Sequence, residues 1–157
     1  MFEFLDPTLT VFAQSNIFIT HDRIACLADF GLSSFLQLQS DSSNRAGSFR
    51  WMAPELIDPG SFGCPKFERT TASDVYAYAC VCLELHTGHP PFSDVASDGA
   101  VLLNVHSGKR PARPDTSMSD DLWALVTTAW AQNFLDRPSM KTISGIMRAA
   151  ARLPKHS

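Results

Sequence analysis

Residues 74 to 85, DVYAYACVCLEL, are apolar on nearly every face when wound as a helix, and no other stretch limits the fold so tightly. A helix that is greasy all round has to be surrounded by protein. Thr71 or Ser73 offers an N-cap, and Gly88 followed by Pro90 and Pro91 stops the helix near His86. Glu84 interrupts the run, which is also too short to cross a bilayer. The chain has 157 residues, 45% of them hydrophobic and 18% charged, enough for one globular domain built around this helix.

The other elements arrange themselves about it. Residues 16 to 29 read as a hairpin, with the strand-like NIFI, the turn THDR and the strand-like IACLA ending at Asp29. Residues 32 to 50, LSSFLQLQSDSSNRAGSFR, are rich in serine and turn formers and read as a surface loop. Three more helices follow: a short one near 98 to 106, one from Ser119 to about Gln132, and one from Pro138 to about Arg152. Leu122, Leu125, Val126, Ala129 and Trp130 keep helical spacing in the second, as do Met140, Ile143, Ile146, Met147 and Ala150 in the third. Pro138 suits a first turn. The expected fold class is mainly α (α+β), a short β-hairpin followed by a helical bundle.

Charge and cysteine usage exclude several functions. Lys and Arg number 13 against 16 Asp and Glu, a net charge of -3 with no basic cluster longer than Lys109-Arg110, so nucleic acid is not an expected partner. Cys26, Cys64, Cys80 and Cys82 show no CxxC spacing and read as ordinary reduced cysteines. The histidines form no i, i+4 pair, so any metal must be held by oxygen. Glu3 and Asp6 replace the positive flank of a secretory signal, and the expected location is cytoplasmic, with no membrane partner.

Four short signals occur in fixed order: Asn16 opening a strand, Asp29-Phe30-Gly31 closing its partner, Ala53-Pro54-Glu55 after the loop, and Asp136-Arg137-Pro138 before the last helix. Each alone is weak. Together with GSFRWMAPEL and SDVYAYACVCLELHTGHPPFSD, they make the chain resemble the C-terminal lobe of a eukaryotic protein kinase of the tyrosine-kinase-like group. The resemblance implies residues 16 to 152 as a partial kinase domain, 1 to 15 as a segment outside the family pattern, and 153 to 157 as a tail.

The resemblance also implies roles. Asn16 and Asp29 match the positions that hold magnesium and, through it, ATP; an amide and a carboxylate oxygen are the hard donors magnesium requires. On local chemistry alone, both residues are equally suited to bounding a hairpin. Phe30 and Gly31 would begin the activation segment, in which Ser40, Ser42, Ser43 and Ser48 are candidate phosphorylation sites, with Arg45 and Arg50 as local basic partners. Glu55 and Arg137 resemble the buried ion pair that ties the end of this segment to the last helices. Asp74 resembles the family aspartate that accepts hydrogen bonds from the catalytic-loop backbone, and serves equally as a first-turn acid.

The same pattern places the catalytic aspartate five residues before the asparagine. That position holds Val11, preceded by Leu9 and Thr10, and a valine accepts no proton. The first fifteen residues also hold no glycine-rich loop and no phosphate-pairing lysine. The expectation is a chain that, by itself, does not transfer phosphate, and an apolar surface left uncovered along 74 to 86. By family, the function is ATP-dependent phosphorylation of protein serine or threonine, with tyrosine possible, and a protein substrate or partner on the helical surface. A catalytically dead interaction module and a nonfunctional truncated product remain open beside it.

Overall fold

The computed structural model describes residues 17–22, 25–27, 49–114 and 118–152. Strand β1 (Ile17–Ile19) pairs antiparallel with β2 (Ala25–Leu27), in a register that places Phe18 opposite Cys26. A 3-10 turn at Phe49–Trp51 leads into the short helix α1 (Pro54–Ile57), followed by the long α2 (Thr71–Thr87), α3 (Asp98–His106), α4 (Asp120–Ala129) and α5 (Met140–Arg152).

Helix α2 is the axis of the core. Its N-cap is Thr70, ahead of both residues expected for the role, because Thr70 and Ser73 form a reciprocal capping box. Thr70 Oγ1 accepts from the Ser73 N–H at 3.2 Å, and Ser73 Oγ accepts from the Thr70 N–H at 2.9 Å. At the other end Gly88 takes a left-handed conformation, φ 70°, and returns its N–H to the Glu84 carbonyl. Val75, Tyr76, Ala79, Cys80 and Leu83 join Val101 and Val105 of α3, Leu125, Val126 and Ala129 of α4, and Ile143 of α5 in one buried cluster.

The uncovered surface expected along this helix is largely absent. Residues 73 to 84 are buried apart from the half-buried Tyr78, and within 74 to 86 only Leu85 is open to solvent, at 71%. The reason is that α4 and the Phe49–Trp51 turn both pack against α2.

Two other boundaries differ from the sequence expectation. Helix α4 ends at Ala129, with Trp130 as its C-cap, because the Trp130 carbonyl accepts from Arg110 Nε at 2.9 Å and its side chain turns into the core. Helix α5 begins at Met140, so Pro138 lies ahead of it; Ser139 Oγ accepts from the Thr142 N–H at 3.1 Å and caps the first turn. Along α5 only Ile143 of the apolar row is buried, while Ile146, Met147 and Ala150 are exposed.

Candidate functional site

The segment from Phe49 to Glu55 is held by long-range polar contacts. Ala53, Pro54 and Glu55 start α1, with Pro54 in the first turn, where its missing N–H goes unneeded. The Glu55 side chain is buried and meets Arg137, which follows the Phe134–Asp136 turn. Arg137 Nη1 and Nη2 each donate to one carboxylate oxygen of Glu55 at 2.7 Å, a bidentate pair. Arg137 also donates to the carbonyls of Ala72 and Ala131, at 2.9 Å each, joining α1, α2 and the end of α4 through one side chain.

A second arginine does similar work nearby. Arg110 donates to the carbonyls of Trp130 and Val105 and to Gln132 Oε1, linking the end of α3 to the end of α4. Both guanidiniums lie over the ring of Tyr76, at 5.1 Å for Arg110 and 5.2 Å for Arg137. The Tyr76 hydroxyl is fully buried and, among the described residues, has no hydrogen-bond partner. Burial holds this phenol far above its ordinary pKa, so it stays neutral. Tyr76→Phe should therefore raise stability by about 1 kcal/mol by removing an unmatched polar atom, read as a higher melting temperature. A fall of similar size would mean the hydroxyl is satisfied.

Asp74 stands in the first turn of α2 and is buried, at 5% exposure. Burial pushes its carboxyl up to about 7, against the opposing charge of Arg69. Among the described residues, no donor is found on that carboxylate. Cys80 is raised to about 12, again by burial first, which makes its thiol inert. Glu84, buried on the same helix, is also raised by burial and accepts from Trp51 Nε1 at 3.1 Å.

Arg50 differs from its expected use. Its guanidinium is engaged by the carbonyls of Pro91, Phe92 and Val95 and by Asp98, so it is not a spare cation for a phosphorylated loop. Sequence reasoning did not single out this role, nor those of Arg110 and Trp51; only the position of Arg50 and Trp51 directly before Met52-Ala53-Pro54-Glu55 hinted at one. Val11, Asn16, Asp29, Phe30, Gly31, Ser40, Ser42, Ser43, Arg45 and Ser48 lie outside the described residues. Among the described residues no cluster of side chains could hold a metal ion, and no helix is long and apolar enough to cross a membrane.

The sequence profile of the protein tyrosine and serine/threonine kinase family matches residues 11–147. The chain belongs to that family. Within this kinase-family chain, the Glu55–Arg137 pair joins the Pro54–Ile57 helix to the later helices. Similar proteins include a light-sensor protein kinase of Ceratodon purpureus, 36% identical over 141 residues, covering 83% of this chain and 10% of the relative. Receptor-interacting serine/threonine-protein kinase 2 of Bos taurus is 32% identical over 136 residues, covering 79% of this chain and 24% of that protein. The proto-oncogene tyrosine-protein kinase ROS of Homo sapiens is 36% identical over 129 residues, covering 79% and 5%. The chain thus spans a quarter or less of the length of these curated relatives.

Proposed function

We propose that residues 16 to 152 form the helical lobe of a protein kinase domain that phosphorylates protein serine or threonine, with tyrosine as the alternative acceptor. The observation that carries this reading is the bidentate pair between Glu55 and Arg137 inside the family match, since it binds the end of the loop segment to the helices behind it. Asn16 and Asp29 are the residues that would hold magnesium, and through it the ATP phosphates; a carboxylate and an amide oxygen suit a hard cation that keeps water and phosphate in its remaining positions. When bound, the metal would neutralise charge on the transferring phosphoryl group. Asp74 would steady the backbone of the catalytic loop from the first turn of α2.

In this reading the chain by itself does not transfer phosphate. Val11 occupies the position of the general base and can neither accept nor orient a hydroxyl proton. Phosphoryl transfer relies on positioning and charge stabilisation, so a missing orienting group cannot be offset by the fold around it. A second reading, favoured by the same residue, is a noncatalytic lobe that binds a partner protein.

Mixing the purified chain with labelled ATP, magnesium and a pool of serine, threonine and tyrosine peptides tests both. The expected result is no incorporation above that of Asp29→Ala. Label on peptide that Asp29→Ala abolishes would overturn the inactive reading and establish the enzyme.

A further inference from the structure

Two consecutive residues of the Phe49–Trp51 turn reach to different parts of the lobe. Arg50 Nη1 donates to the carbonyls of Phe92 at 2.6 Å and Pro91 at 3.2 Å, Nη2 donates to that of Val95 at 3.1 Å, and Nε lies 3.0 Å from Asp98 Oδ1. Trp51 Nε1 donates to the buried Glu84 in α2.

The turn that Arg50 holds is itself unusual. Phe92 has φ 55°, the left-handed region that residues with a Cβ rarely enter, yet its side chain is buried in the core. Such a conformation persists only where its surroundings impose it. The shortest of the Arg50 bonds goes to the carbonyl of this same residue. The Asp98 side chain is 49% exposed, so its ion pair contributes little, whereas the three carbonyl bonds are charge-assisted and half-buried. The planar fork spreads its five donors over four acceptors, the three carbonyls and Asp98, more than the three donors of a compact ammonium can meet.

We propose that Arg50 is a positioning residue. By clasping the turn from Pro91 to Val95, with Trp51 anchored on Glu84, it fixes where the stretch from Met52 to Glu55 lies against the helical lobe. It thereby sets the surface that a protein substrate would meet, a consequence that rests on the kinase reading, while the clasp does not.

Amide hydrogen exchange on the full chain, compared among wild type, Arg50→Ala, Arg50→Lys and Asp98→Asn, tests the clasp without reference to ATP or phosphate transfer. Both Arg50 variants should speed exchange about tenfold in residues 49 to 57 and 91 to 95 while α4 keeps its protection, and Asp98→Asn should change either segment by no more than about twofold. Should Arg50→Ala fail to fold, Arg50→Lys carries the test, because it keeps the charge facing Asp98 and loses the fork. Unchanged exchange in the two segments, a rise spread evenly over the chain, or an Asp98→Asn effect as large as that of Arg50→Lys would each overturn the proposal.

Discussion

Arg137→Met should lower the unfolding free energy by roughly 3 to 5 kcal/mol, the range for breaking a buried ion pair from one side. Methionine keeps an unbranched apolar chain in the space but leaves the Glu55 carboxylate, 4% exposed, without its two donors. It also strips the Ala72 and Ala131 carbonyls of theirs. Against a typical total of about 5 to 15 kcal/mol, that is a large share. Urea unfolding with an unchanged slope and an earlier midpoint is the expected reading. Arg137→Lys should recover little, since a point charge cannot supply two parallel bonds to a carboxylate and two more to carbonyls. A loss below about 1 kcal/mol would mean that the pair behaves like an exposed one.

Stability should fall as pH rises from about 4 to about 7, and Asp74→Asn should remove most of that slope. Burial lifts the Asp74 carboxyl from 3.8 to about 7 in the folded chain. Between those values the folded state holds a proton that the unfolded state has released, so each step up in pH favours unfolding. The contribution is fully present below about pH 4 and gone above about pH 7. At pH 8 the asparagine variant should be more stable than wild type by an amount on the order of 4 kcal/mol at most, and at pH 4 the two should match. Urea midpoints at pH 4, 6 and 8 give the comparison. Parallel curves for the two proteins would show that donors to the Asp74 carboxylate offset its burial.

Both expectations concern residues that motif order brought to notice, but the magnitudes come from burial. The sequence places Glu55 and Arg137 82 positions apart, and nothing local in either motif says that one guanidinium also reaches Ala72 and Ala131. Arg50 and Arg110 also bind carbonyls, and apart from the place of Arg50 just before Met52-Ala53-Pro54-Glu55 the sequence does not distinguish them from surface cations. Their roles follow from loops and helix ends far away in the chain.

Periodicity met a similar boundary. Met140, Ile143, Ile146, Met147 and Ala150 share one helical row, yet only Ile143 is buried, because spacing reports which residues share a face and says nothing of what lies opposite.

By itself the sequence determined the elements whose causes are local. These are the apolar run that had to become the central helix, the glycine that ends it, and the amphipathic spacing of α4, because capping and helical periodicity act over a few residues. Only the tertiary structure decided the early end of α4, the charge state of Asp74 and the partners of Arg50, Arg110 and Arg137. Those depend on which distant carbonyls and carboxylates the packing brings within about 3 Å and on how much water it removes from around them.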